Sequence, residues 1–255
     1  MNTSKLKILT IGNSFSVDTM EYVSEIAKAL KINEITLGNL FFGGCSIRQH
    51  YRHATEDIPA YVYYHNDGSG WTSTNDVTIK SALESDDWDW VTIQPGTGDG
   101  SRHTSKDSYE KLMPLLEYIK EHIPKKTKIA YNLTWVGDPE KIQASYGGSQ
   151  KELYNKTVEM VKQIIPTIDM IEVIVPTGCA VQNARTMVDY SLTRDFYHMS
   201  YDKGRFLAGL TFFKSITGIS IDEIEYTPEG VDKEFLAIAI KSVNKAIDNP
   251  FELID

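Results

Sequence analysis

Short, nearly continuous apolar stretches alternate along this chain with stretches whose apolar residues recur three and four positions apart. The first kind comprises Lys7–Ile11, Glu34–Leu40, Trp90–Gln94, Lys128–Thr134 and Met170–Pro176. Each is short, mostly apolar and rich in β-branched residues, the pattern of parallel strands buried on both faces. The second kind predicts helices. Val23, Ile26, Ala27 and Leu30 mark one, and Leu112, Leu115, Leu116, Ile119 and Ile123 mark another that Pro124 stops. Ser149 with Glu152 forms a capping box ahead of a third, and the last runs from about Val231 to Ile247 before Pro250. Strands alternating with helices over residues 1–255 predict a single α/β domain, a three-layer α/β/α sandwich around a five-stranded parallel sheet. Sites in such sheets lie at the carboxyl ends of the strands. Ser14, Gly44, Gln94, Trp135 and Gly178 all fall at or just past predicted strand ends.

The segment 51–75 breaks the alternation. Tyr61, Tyr63, Tyr64, His65 and Trp71 flank Asn66-Asp-Gly-Ser-Gly70, which reads as an aromatic β-hairpin excursion. Such a hairpin either packs on its own body or forms an aromatic wall beside the site, suited to stacking on sugar rings.

Composition narrows the partners. The 255 residues are 41% hydrophobic and 24% charged, as in a soluble globular protein, with a net charge of -9. An acidic surface argues against nucleic acid or an anionic membrane as partner. No apolar run reaches the length of a membrane span, and no secretory leader precedes the first strand, so a cytoplasmic location is expected. Cys45 and Cys179 have no metal-type spacing and form no disulfide framework. His50 and His53 could share a helix face as metal ligands do, but no acidic or cysteine partner stands at diagnostic spacing, so no metal is expected.

Candidate chemistry begins at Gly12-Asn-Ser-Phe-Ser16. Ser14 can be a nucleophile at a strand-to-helix turn, or cap the helix expected to begin near Val17, a task Ser16 could also perform. Alternatively the loop cradles a phosphate at a helix N-terminus, as in a flavodoxin. Far along the chain, Asp195 and His198 form an Asp-x-x-His turn able to deliver an imidazole together with the carboxylate that orients it. Arg205, in a helix beneath that turn, is placed to pair with a carboxylate.

These blocks resemble those of the SGNH (GDSL-type) hydrolases, most closely a bacterial branch beginning Ile-Gly-Asn-Ser-Phe-Ser. The similarity takes in Asn39-Leu-Phe-Phe-Gly-Gly-Cys-Ser46, Val91-Thr-Ile-Gln-Pro-Gly96 and Asp195-Phe-Tyr-His-Met-Ser-Tyr-Asp-Lys-Gly-Arg205. The resemblance implies that Ser14 is the nucleophile, His198 the base and Asp195 its orienting carboxylate. It also implies that the N–H groups of Ser14 and Gly44 face the oxyanion. The third block departs from the common Gly-x-Asn-Asp pattern, because Gly96-Thr-Gly-Asp99 puts Gly98 where an Asn donor would stand. Gln94 is the expected substitute donor, and Trp135 is either core or a substrate platform. The expectation is a cofactor-free serine esterase acting on small acyl esters, acetyl above all, of a small-molecule or carbohydrate substrate. Its rivals are a flavodoxin-like binding protein and an inactive relative of the same fold.

Overall fold

A computed structural model describes residues 5–96 and 105–253. Seven strands form one sheet: β1 (Lys5–Gly12), β2 (Glu34–Phe41), β3 (Tyr61–Asn66), β4 (Thr72–Val77), β5 (Trp90–Ile93), β6 (Lys128–Asn132) and β7 (Val173–Val175). Their spatial order is β4-β3-β2-β1-β5-β6-β7. The five strands expected from the sequence are all present and mutually parallel. β1, β5 and β6 are buried almost throughout, which accounts for their continuous apolar runs. The sheet has seven strands rather than five because the aromatic excursion joins it. β3 pairs antiparallel with β2, and β4 with β3. The excursion also begins later than expected, since Ser46 and Gln49 form a capping box that starts a helix, α3, at Ile47.

Ten α-helices surround the sheet among the described residues. On one face lie α1 (Ser14–Met20), α2 (Val23–Ala29) and α9 (Lys203–Thr217), with α8 (Thr177–Arg185) and α10 (Lys233–Asp248) packed on α9. α3 (Ile47–Thr55), α4 (Ile79–Leu83) and α5 (Leu112–Glu121) pack together as a second group. α6 (Pro139–Tyr146) and α7 (Gln150–Ile164) connect β6 to β7, and α7 carries the Ser149–Glu152 capping box read from the sequence. No described helix is long and apolar enough to cross a membrane.

The chain leaves β1 toward β2 and later returns to β5 on the other side of β1. The topological switch point therefore lies between β1 and β5, and the loops that diverge there leave a crevice at the strands' carboxyl ends. Ser14 immediately follows β1 at that point.

The far edge is closed differently. β4 reads Thr-Ser-Thr-Asn-Asp-Val and is almost wholly exposed, a polar edge that discourages pairing with other chains. Gly38, in the middle of β2, explains how the hairpin fits against the sheet. A Cβ there would lie 2.8 Å from the Tyr63 hydroxyl, 2.9 Å from Leu9 Cδ1 and 3.0 Å from the Trp88 ring. Gly38→Ala should therefore destabilise the protein by roughly 1–3 kcal/mol, the usual cost of overpacking. A urea midpoint equal to that of wild type would show that the ring and hydroxyl yield freely.

Candidate active site

The loop after β1 is organised by Asn13. Its side chain is wholly buried and uses every hydrogen-bonding capacity it has. Asn13 Oδ1 accepts from Phe15 N at 3.0 Å and from Gln94 Nε2 at 3.0 Å. Asn13 Nδ2 donates to Cys45 O at 3.2 Å and Pro95 O at 3.4 Å. One amide thus ties together the carboxyl-end loops of β1, β2 and β5. Asn13 is also the N-cap of α1, so the helix begins at Ser14 and neither serine caps it. The Ser16 hydroxyl instead lies 2.7 Å from Asn13 O and 2.8 Å from Asn39 Oδ1, with its one proton shared between the two acceptors.

This cap decides what the loop can bind. The N–H groups of Phe15, Ser16 and Val17 are all directed at Asn13. Only the Ser14 N–H remains unpaired among the first four of this helix, within the described residues. A phosphate cradle draws on several converging N–H groups, whereas here Asn13 takes up all but one of those at the start of this helix among the described residues. The Gly44 N–H is likewise unpaired among the described residues. Gly44 has φ +65°, a left-handed conformation that suits glycine. Gly96 closes the same corner: a Cβ on it would meet Cys45 O at 2.0 Å, so only a bare backbone fits there.

The second half of the site comes from the C-terminal third of the chain. Asp195 Oδ1 accepts from the backbone N–H groups of Tyr197 at 2.9 Å and His198 at 2.8 Å, folding residues 195–198 into a tight turn. Asp195 Oδ2 lies 2.8 Å from His198 Nδ1. A carboxylate accepts, so Nδ1–H donates this bond, the tautomer that in the neutral ring puts the lone pair on Nε2. Partial burial opposes the charge on Asp195, but the backbone and ring bonds from His198, with the Tyr197 N–H, outweigh it and hold the carboxyl at about 2. Asp195 is therefore ionised throughout the neutral range.

Two clamps fix this turn against α1. Asp18, one helical turn beyond Ser14, is fully buried. It accepts from Met199 N at 2.9 Å, Arg194 Nη1 at 2.9 Å and Arg205 Nε at 2.8 Å. On the other side the loop after β6 holds the turn, through Trp135 Nε1 to Tyr197 O at 2.7 Å and Asp138 N to Phe196 O at 2.9 Å. Phe15, the neighbour of Ser14, stacks on Trp135 with centroids 4.4 Å apart and meets the His198 ring edge-on at 6.4 Å. Ser14 and His198 therefore flank one packed aromatic cluster. The Ser14 hydroxyl makes no hydrogen bond to another described residue, His198 included.

Two residues take roles other than those expected from the sequence. Gln94 is fully buried and points its Nε2 at Asn13, so it is a prop for Asn13 rather than an oxyanion donor. Trp135 is 3% exposed, which leaves no ring face to act as an open platform. It supports Phe15 and the histidine turn instead. Gly98 and Asp99 of the third block lie outside the described residues. Sequence reasoning missed Asn13 and Asp18. The signal for Asp18 is a carboxylate on a short helix among Phe15, Ser16, Thr19 and Met20, all buried, where a charge requires a partner.

Beneath Gly44, Cys45 Sγ lies 3.4 Å from His50 Nδ1. His50 and His53 each approach the buried Tyr61 hydroxyl through Nδ1, at 2.8 and 3.2 Å. Burial, assisted by the charge of His53, lowers His50 to about 3, so it is neutral in the folded protein. Cys179, also buried, donates to Glu252 O at 3.0 Å.

The fold and these clustered residues define an α/β/α protein that gathers a serine, a histidine and an aspartate about the first helix after its central strand. Residues 7–246 match the model of DUF4886, a domain of unknown function, and the chain belongs to that family. A DUF4886 family protein from Bacteroides uniformis has a similar crystal structure, with 32% identity over 98% of this chain and 97% of that one and a TM-score of 0.89. A Streptococcus pneumonia protein named for platelet activating factor is 15% identical, covers 85% of this chain and 86% of its own, and has a TM-score of 0.53. A GDSL-like lipase from Bacteroides thetaiotaomicron is more loosely similar: 11% identity, 95% and 87% coverage, TM-score 0.41. The Streptococcus likeness is one of fold. No curated protein matches the sequence.

Two stability measurements test the supports. Asp18→Ala leaves two guanidinium groups facing a cavity and should cost about 3–5 kcal/mol, whereas Arg205→Lys should cost less. Equal unfolding midpoints for Asp18→Ala and wild type would refute the clamp. For His50, the unfolded state binds a proton below its ordinary value of 6.5 that the folded state refuses until about 3. Stability should therefore fall as pH drops through this window, by up to about 1.4 kcal/mol per pH unit from this group. His50→Gln should remove that part of the slope; an unchanged slope would mean the imidazole protonates in place.

Proposed function

We propose that this protein is a serine ester hydrolase in which Ser14 is the nucleophile, His198 the general base and Asp195 the residue that orients it. One observation carries the reading. An imidazole with its Nδ1 proton on a carboxylate is clamped by Asp18 to the same short helix that begins with Ser14. A serine hydroxyl is a weak nucleophile until a base takes its proton, and an imidazole clamped to the helix that Ser14 begins is suited to approach and take it.

In the acylation step Ser14 Oγ attacks the ester carbonyl while its proton passes to His198 Nε2. The carbonyl π pair moves onto oxygen, and the unpaired N–H groups of Ser14 and Gly44 donate to that oxyanion. Collapse of the tetrahedral intermediate breaks the bond to the alcohol, which leaves with the proton from His198. Water then repeats the sequence on the acyl-serine, giving the acid and restoring Ser14. Asp195 stays a carboxylate and stabilises the imidazolium formed in each half. In this reading acetyl is the preferred acyl group and a hydroxylated carbohydrate the preferred alcohol.

Turnover of p-nitrophenyl acetate tests the assignment. Ser14→Ala and His198→Ala should each abolish activity above the solvent rate while keeping the wild-type melting temperature, and the double variant should be no worse than either. Asp195→Asn should lower kcat by roughly 10²–10⁴-fold through loss of the productive tautomer. Wild-type turnover in Ser14→Ala would end this reading.

A further inference from the structure

A cleft of about 200 Å³ lies between α1 and the β3–β4 hairpin, lined by Val17, Met20, Glu21, Asn39, Tyr64 and Trp71. We propose that this cleft is a subsite for a single hydroxylated ring, a pyranose, carried by the alcohol portion of the ester. The proposal rests on the serine esterase reading for its link to catalysis, but its binding claim stands separately.

The first argument is position. Ser14, Val17 and Glu21 succeed one another at helical spacings of three and four, so they share one face of the helical segment. Val17 is one turn from Ser14, about 5 Å along the axis. Asn39 and Tyr64 are direct cross-strand partners on the sheet face that α1 covers, and Phe41 continues this face toward the strand ends. Phe42 N donates to Gly12 O at 3.2 Å, which joins the end of β2 to the serine loop. The cleft thus runs down α1 from the nucleophile's end.

The second argument is size. Sites that enclose a drug-sized ligand occupy roughly 300–1,000 Å³. A cleft of about 200 Å³ accepts one ring-sized group instead.

The third argument is polarity, and it separates a sugar from an alkyl chain. Trp71 and Val17 supply apolar surfaces over a floor of buried Met20 and Asn39, and Trp71 is held in place by Nε1 to Glu21 O at 3.5 Å. The Tyr64 hydroxyl, part-exposed on the cleft wall, has no partner among the described residues. An alkyl chain filling the cleft would strip water from this hydroxyl and return no hydrogen bond, a penalty that opposes binding. A pyranose presents an apolar C–H face to the tryptophan and a ring hydroxyl to the phenol. Glu21 lies at the rim with its carboxylate paired to Arg205 Nη1 at 3.0 Å, so an acidic or strongly anionic sugar is disfavoured.

The test uses saturation-transfer NMR with a panel of neutral methyl hexo- and pentopyranosides, alongside turnover of p-nitrophenyl acetate, p-nitrophenyl hexanoate and a mono-O-acetylated methyl glucopyranoside. At least one methyl pyranoside should bind wild type and Ser14→Ala alike. Trp71→Ala should weaken that binding at least about fivefold, and Tyr64→Phe, which deletes one oxygen and keeps the ring, by a smaller factor. Both variants should raise KM for the acetylated pyranoside and leave p-nitrophenyl acetate turnover at the wild-type rate. No binding by any pyranoside, binding indifferent to both substitutions, or a KM increase on Trp71→Ala confined to the hexanoate would overturn the subsite. Trp71-dependent pyranoside binding in a protein that hydrolyses none of the three esters would instead remove the esterase reading and leave the subsite standing.

Discussion

The site depends on one buried carboxylate. Asp18 stands one turn beyond Ser14 and receives the N–H of Met199 and the guanidinium groups of Arg194 and Arg205. These partners are 181, 176 and 187 positions away in sequence, so the contact spans most of the chain. A carboxylate with no exposed surface cannot be left unpaired without a penalty of several kcal/mol. The turn carrying Asp195 and His198 is therefore committed to α1, and Arg205 commits α9 to the same place. Without this bond the imidazole would be held only from the side of the loop after β6.

Asn13 imposes the complementary constraint on the other half. Its amide fills the space between the loops after β1, β2 and β5, and Gln94 Nε2 completes its hydrogen bonds. The close approach of Gly96 to Cys45 O locks the same corner sterically. The two N–H groups that have no partner among the described residues, of Ser14 and Gly44, are by-products of this arrangement. Asn13 consumes the neighbouring donors, and the positive φ of Gly44 turns its peptide out of the strand pattern. A site held from two directions by buried polar groups keeps its geometry without relying on a bound ligand.

The hairpin adds a different property. Its backbone extends the sheet, yet its side chains face α1 across a cleft that the five parallel strands alone would leave open to solvent. Tyr64 reaches that position because the antiparallel register sets it directly opposite Asn39. Gly38, on the opposite face, admits Tyr63 in the same way. Alternation thus sends the neighbours Tyr63 and Tyr64 of β3 to opposite faces, one into packing and the other to the cleft wall.

Much of this was legible in the sequence. The buried runs at Lys7–Ile11 and Trp90–Gln94 identify central strands because only strands covered on both faces are apolar at consecutive positions. The Ser149–Glu152 box marks its helix because the cap is a local contact. The same locality makes the Asp195–His198 pair readable, as three residues of turn suffice to bring carboxylate and imidazole together. What local pattern could not decide was the use of polar residues whose partners are remote. Ser16 looks like a cap until Asn13 takes that place, and Gln94 looks like a donor to the site until its amide is seen on Asn13. Trp135 reads as readily as a platform as it does core, and the excursion reads as a hairpin on its own body or a wall beside the site until its pairing with β2 is seen. For Ser16 the deciding neighbour is a competing cap three residues earlier, whereas for Gln94, Trp135 and the excursion it lies dozens of residues away or arrives only when the sheet closes. The chain alone determines which segments are strands and which turn holds the imidazole, whereas burial and long-range hydrogen bonds, set by tertiary packing, decide which polar groups are occupied and which remain free to act.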